Sequence, residues 1–325
     1  MNDRRKLMIA LGAGALSGSL GSWAQQVGVI RIGWVSIDRA TGSPFLDPLR
    51  ARLRELGYVE GRNLVIEEVW GDGSREHMYG PVAELVRSKP RVIVTQGPSV
   101  LVVHKVGGNI PVVFGFSGDP VEAKLVESYR RPGGRFTGLS FLSLELVGKR
   151  MELLKELLPS LKRVAVIARS EHPGEQNELR ASQAAAKLLD VTIAYFPIKG
   201  EQDLNDALVA IPKTGSQAIV AFPDAVMMRY AQRIAEFSVK NRIPAISGWS
   251  QFAESGNVMT YGPELRASFG RLAAYVDKIL RGVNPAEIPV ELPTIVELAI
   301  NVKAAKALGL TIPQTILVRA DRVIE

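Results

Sequence analysis

The stretch Ile110-Pro111-Val112-Val113-Phe114-Gly115 reads as a short buried strand entered through proline and left through glycine, and it returns as Ile243-Pro244-Ala245-Ile246-Ser247-Gly248. Just upstream of each copy lies another apolar strand ending in a turn. These are Val92-Ile93-Val94-Thr95-Gln96-Gly97-Pro98 in one half and Ala218-Ile219-Val220-Ala221-Phe222-Pro223-Asp224 in the other. A pattern repeated about 130 residues apart implies two similar halves. In open α/β sheets ligands bind at the carboxyl ends of the strands, so two such sheets facing each other would clamp a small molecule between their loops. That geometry suggests a binding protein before it suggests an enzyme.

In the first half, Val29 to Val35 reads as a strand, and Ser43 can cap a helix to about Leu56 with Leu46, Leu49, Leu53 and Leu56 on one face. Pro48 is tolerable in its first turn and Gly57 stops it. A strand at Leu64 to Trp70, a helix near Glu76 to Ser88, and strands at Arg91 to Thr95 and Pro111 to Phe116 follow. Thr137-Gly138-Leu139-Ser140, after the loose turn Arg131-Pro132-Gly133-Gly134, interrupts the series and reads as the first hinge.

Beyond it come a helix ending near Leu158-Pro159, strands at Arg163 to Ala168, Val191 to Phe196, Gln217 to Phe222 and Ile243 to Ser247, and helices near Glu175 to Leu189, Glu201 to Ala210 and Ala225 to Lys240. Asn257 to Gly262 would return the chain to the first lobe for a helix at about Glu264 to Leu280. Pro285 to Pro293 would cross a third time, into a strand at Ile295 to Ile300 and a helix at Asn301 to Leu308. Alternating strands and helices with short loops predict parallel sheets covered on both faces. The expected fold is therefore α/β, two doubly wound parallel-sheet lobes joined by a multi-crossing hinge, with 25–138 and 263–285 in lobe 1 and 139–262 and 286–325 in lobe 2. Three crossings suit closure around a ligand.

Met1 to Gln26 stands outside that architecture. Arg4, Arg5 and Lys6 form a charged n-region, Met8 to Leu20 a soft apolar core, and Ser22-Trp23-Ala24 a small-x-small cleavage signal. The core is shorter than the roughly 20 apolar residues of a membrane span, so residues 1–24 are expected to be a signal peptide cleaved after Ala24. Arg4-Arg5 leaves the Sec and twin-arginine routes both open. The chain has no cysteine, hence no disulfide and no thiol after the signal to carry a lipid anchor. A monomeric protein of the periplasm fits these features. Removing residues 1–24 takes away three basic residues and one acidic one and lowers the formal charge from +7 to +5. Without a nucleic-acid motif or an aromatic-basic stripe, that charge is not read as nucleic-acid binding.

Candidate chemistry sits in the strand-end loops. No phosphate loop, nucleophile elbow or H-E-x-x-H motif occurs; no catalytic residue, metal or cofactor is expected. Gly12-Ala13-Gly14 and Gly18 have the wrong dinucleotide spacing and lie in the export signal. His77, His104 and His172 lack matching carboxylate spacing and read as solvated or locally hydrogen-bonded. Gly97-Pro98-Ser99 stands at a helix start, where free N–H groups and the helix dipole attract an anion; Ser99 can add a hydroxyl, act as N-cap, or do both. Asp224 can cap the next helix or receive a ligand ammonium, capping being the simpler role. Phe116, Ser117 and Asp119 in one half, and Trp249 in the other, mix apolar surface with polar atoms as small-molecule clefts do, although Trp249 also suits inter-lobe packing. Tyr261 offers a ring and a hydroxyl, and Ser36 and Asp38 complete the rim.

With these residues in view, the chain resembles the ABC-transporter solute-binding proteins of the family that includes tryptophan- and tyrosine-type binders. The matching segments are Leu53 through Asn63, Gly118-Asp119-Pro120-Val121, Arg131-Pro132-Gly133-Gly134 with Thr137-Gly138-Leu139-Ser140, Tyr261-Gly262-Pro263, Tyr275 through Gly282, and Asn301 through Pro313. Most are turns, hinges and packing segments, which identify a scaffold better than a ligand. The resemblance implies a type I periplasmic-binding-protein fold, capture of a small solute between two lobes, and delivery to a membrane ABC permease driven by a separate ATPase. From the loops, the solute is expected to be a small carboxylate, an amino acid or aromatic acid. A sensory module or an enzyme on the same frame is the alternative.

Overall fold

The computed structural model describes residues 28–41, 44–141 and 144–325. The expected export signal and the expected helix cap Ser43 lie outside the described residues. The chain runs β1 (Ile30–Ser36), α1 (Leu46–Glu55), β2 (Leu64–Trp70), α2 (Tyr79–Arg87), β3 (Val92–Gln96), α3 (Ser99–Val106), β4 (Val112–Phe116) and β5 (Phe136–Ser140). These strands form one wholly parallel sheet in the order β2-β1-β3-β4-β5. Next come α4 (Leu144–Leu157), β6 (Arg163–Arg169), α5 (Glu175–Leu188), β7 (Thr192–Ile198), α6 (Glu201–Ala210), β8 (Ala218–Ala221), α7 (Ala231–Asn241), β9 (Ala245–Ser247), α8 (Ser250–Glu254) and β10 (Met259–Pro263). The chain ends in α9 (Leu265–Leu280), β11 (Val296–Asn301), α10 (Val302–Leu308), α11 (Gln314–Leu317) and β12 (Arg322–Ile324). The second sheet has the order β12-β11-β10-β9-β8-β6-β7.

Burial on both faces explains the near-continuous apolar strands. One face of the first sheet packs Ile32, Trp34, Val92 and Val94 against α1 and α9, the latter through Leu265, Phe269, Leu272 and Val276; the other face packs Val35, Ile93 and Phe114 against α2 and α3. In the second lobe, Val164, Val166, Val220 and Ile246 meet α4 and α5, while Ala165, Ile167 and Ile219 meet α6 and α7. α1 starts at Leu46 rather than at the expected Ser43; its N-cap position is Phe45, with no side-chain cap bond. α9 is capped by Glu264, whose carboxylate accepts from the amides of Arg266 and Ala267.

The expected hinge at Thr137–Ser140 is instead β5, paired along its length with β4. Its glycine misled because the missing side chain signals contact, not a break: Gly138 has φ +150°, and a Cβ there would lie 2.0 Å from the Phe114 carbonyl oxygen. Gly262 in β10 meets the Gly248 carbonyl at the same 2.0 Å. Asn257–Gly262, expected to be a crossing, likewise runs into β10 of the second sheet. Ile288 and Val290 pack in the first lobe's cores, and Glu291 exchanges backbone hydrogen bonds with Gly138 and Ser140. The chain therefore passes between the sheets after Ser140, after Pro263 and after Glu291. β11 returns at the end where β10 left, so this pair is antiparallel in an otherwise parallel sheet. No helix among the described residues is long and apolar enough to cross a membrane.

Candidate functional site

The carboxyl ends of both sheets face each other, and the lobes touch. On the first lobe, Ser36 ends β1 fully buried; its Oγ accepts from Gln96 Nε2 at 2.8 Å and from the Asp38 amide at 3.1 Å. Asp38 follows, 3.6 Å from Arg229 Nε of the other lobe. Gly97 turns the chain with φ +54°, and Pro98 occupies the N-cap position of α3. Ser99 is thus the first residue of the helix rather than its cap. It is 0% exposed, and its Oγ finds no hydrogen-bond partner among the described residues. A buried hydroxyl at the positive end of an eight-residue helix is placed to donate to an anion. The Phe116 ring lies in the first lobe's core beside Phe114, Ser117 is buried next to it, and Asp119 Oδ1 accepts from the amides of Val121 and Glu122, closing a turn.

On the second lobe, Asp224 is buried, and its Oδ1 accepts from the amides of Val226 (2.8 Å) and Met227 (3.2 Å). It caps a tight turn whose residues Ala225 and Val226 reach into the first lobe's cores. Trp249 precedes α8 and meets Phe45 edge to face, ring centroids 6.0 Å apart, which is inter-lobe packing. The structure does not bring Tyr261 to the cleft loops: its ring packs on the second lobe's core, and its carbonyl accepts from Arg150 Nε at 3.0 Å.

Several groups that sequence reasoning passed over lie at this junction. Arg169 ends β6 at 2% exposure; its Nη2 donates across the lobes to the Gly73 carbonyl (3.3 Å) and within its own loop to Glu171 Oε2 (2.6 Å). Nε and Nη1 have no partner among the described residues. His172 is 4% exposed, and both ring nitrogens lack a partner among the described residues, so within these it is neither solvated nor locally hydrogen-bonded as its sequence context suggested. Its neighbour Pro173 sits against Gly118 of the first lobe. Arg229, in the turn after Asp224, stands at ion-pair range from Asp38 (3.6 Å) and Asp72 (3.7 Å), too far for hydrogen bonds. The sequence signal for Arg169 was available: a cation at the carboxyl end of a buried parallel strand occupies the ligand-binding edge.

Beneath these loops Arg150 and Glu178 form an ion pair at 3.4 Å, with side chains 4% and 7% exposed. Burial pushes the Arg150 guanidinium pKa down, and Glu178 opposes it. The Tyr195 hydroxyl donates to Glu175; burial first, and that hydrogen bond second, push the Tyr195 pKa up. Among the described residues no group of three or more His, Cys, Asp and Glu is placed to hold a metal ion.

Solved structures share this architecture. A conserved domain protein from Vibrio cholerae aligns with a TM-score of 0.84 and 26% identity, over 91% of this chain and 99% of the other. An ABC domain in complex with L-Trp from Streptococcus pneumoniae aligns at 0.83 with 21% identity and the same coverage. The ligand-free, open structure of a substrate binding protein with adhesive properties from Clostridium difficile reaches 0.66 at 20% identity, again over 91% and 99%. A tyrosine-binding protein from Clostridioides difficile is 24% identical over 283 residues, 85% of this chain and 81% of its own length. The family model for ABC transporter substrate binding proteins matches residues 45–324, and the chain, with its two facing parallel-sheet lobes, belongs to that family.

Proposed function

We propose that this protein captures one amino acid, held by its carboxylate, between its lobes and hands it to a membrane ABC permease powered by a separate ATPase, acting as an exported monomer of the periplasm without chemical turnover. The observation that carries the reading is Ser99: a fully buried hydroxyl without a partner among the described residues, at the N-terminus of α3 and at the carboxyl end of the first sheet. An unpaired buried donor is costly, and a carboxylate would satisfy the hydroxyl while sitting at the positive end of the helix dipole. Asp224, also buried, has a second carboxylate oxygen beyond the one that caps its turn, suited to an ammonium. The tyrosine-binding relative and the L-Trp complex add support for an amino acid.

Isothermal titration of the exported protein against the proteinogenic amino acids and their decarboxylated amines tests this. An amino acid should bind, and its amine should not. Tight binding of an amine, or of a neutral sugar with no amino acid bound, overturns the reading. Small-angle scattering should show compaction with the bound solute, and cell fractionation with N-terminal sequencing should find mature protein beginning after Ala24.

A further inference from the structure

Resting on that reading, we propose that the solute carries a second anionic group, as an acidic amino acid does, and that Arg169 with His172 reads it. The junction has an excess of donors. A guanidinium has five N–H donors; in Arg169, among the described residues, Nη2 is engaged by Gly73 and Glu171, while Nε and Nη1 are buried and without a partner. Both ring nitrogens of His172, three residues on, are likewise buried and without a partner among the described residues, and the ring has at least one N–H to donate. Ser99 supplies another unpaired hydroxyl from the opposite lobe. Leaving such groups unmatched on closure is expensive, most of all for a buried cation, and only a ligand rich in acceptor oxygens can match them. A carboxylate does so best, because Arg pairs with it through two parallel hydrogen bonds.

The aromatic rings that the strand-end loops offer a flat, neutral side chain are largely in use elsewhere. Phe116 is 1% exposed inside the first lobe's core, Phe222 lies in the second lobe's core, Trp249 is stacked edge-on to Phe45, and Tyr261 packs on the second lobe. The position of Arg169 fits a closure-dependent reader. It is anchored on β6 and, among the described residues, donates to the first lobe at the Gly73 carbonyl, so closing the lobes brings its remaining donors to the side from which α3 presents its N-terminus.

The test is titration of the full mature chain with L-glutamate, L-aspartate, L-glutamine, L-asparagine, L-tyrosine and L-tryptophan. One acidic amino acid should bind at least about 30-fold tighter than its own amide, a ratio typical of a desolvated charge pair. Arg169→Gln should collapse that ratio to within about threefold by weakening the acid far more than the amide, and Arg169→Lys should restore part of it. A merely structural arginine would weaken acid and amide alike, and a melting curve for each variant shows whether it folds. Tyrosine or tryptophan binding as tightly as either acid overturns the proposal, as does an acid-to-amide ratio that survives Arg169→Gln in folded protein. If none of the six binds but another amino acid does, this inference fails and the broader reading stands; if no amino acid binds, both fail.

Discussion

The two lobes meet with different chemistry at the same topological place. The first lobe offers neutral donors tied to backbone, the Ser36–Gln96 pair, the turn at Gly97 and the N-terminus of α3 with Ser99, beside the carboxylates Asp38 and Asp72 that face Arg229. The second offers charge on long side chains, Arg169 and Arg229, over the buried Arg150–Glu178 pair. Neutral, backbone-anchored donors suit a group common to every candidate solute, while a charged fork on a strand end discriminates among solutes. On the function proposed above, the contrast makes the first lobe the anchor and the second the selector.

The sharpest way to break that contrast is in its supports. Arg150→Met strands the Glu178 carboxylate in the interior and should cost about 3–5 kcal/mol, read as a lowered urea midpoint. Gln96→Met, which removes only a neutral hydrogen bond to Ser36, should cost about 1–2 kcal/mol; equal losses would mean that the two lobes are braced alike. Gly138→Ala and Gly262→Ala probe the paired backbone contacts, one per sheet. Each should cost about 2–3 kcal/mol by overpacking, with Gly138→Ala the worse because its φ of +150° is also unfavourable for a side chain. Ser99→Ala should leave the melting temperature of the ligand-free protein unchanged or slightly raised, since the hydroxyl has no partner among the described residues to lose, yet weaken solute binding roughly five- to tenfold. A drop in stability with intact affinity would make Ser99 a structural residue. The smallest effect belongs to Arg229→Gln, which removes long, partly exposed pairs to Asp38 and Asp72. It should lower affinity roughly two- to fivefold at low salt and less at high salt.

The architecture was legible because periodicity and turn residues agreed. β2 spans Leu64–Trp70 and α6 spans Glu201–Ala210 as the sequence predicts, and the two Ile-Pro strands are β4 and β9, parallel members of their sheets. Thr137–Ser140 escaped because a glycine chosen for closeness to a neighbouring strand looks, in one dimension, like a breaker. β12 escaped because Arg322 and Val323 are exposed and leave no apolar pattern. At the site, Asp224 was readable as a cap from its place after a strand. Arg229 was hidden inside an expected helix from Ala225 that the chain forms only from Ala231, after a tighter turn at Met227–Tyr230. His172 looked inert because nothing in its neighbours' identities encodes burial without a partner.

The packing of α1 against α9 also sets a timetable. Leu46, Leu49 and Leu53 emerge early in synthesis, but the residues that cover them, Leu265, Phe269, Leu272 and Val276, arrive about 220 positions later. The amino-terminal lobe therefore cannot complete its interior on the ribosome ahead of its partner, as sequential domains usually do. The second lobe's central strands, from β6 to β10, are finished first, and the earliest-made sheet waits with an uncovered face that a holding chaperone could grip until nearly the whole polypeptide is available.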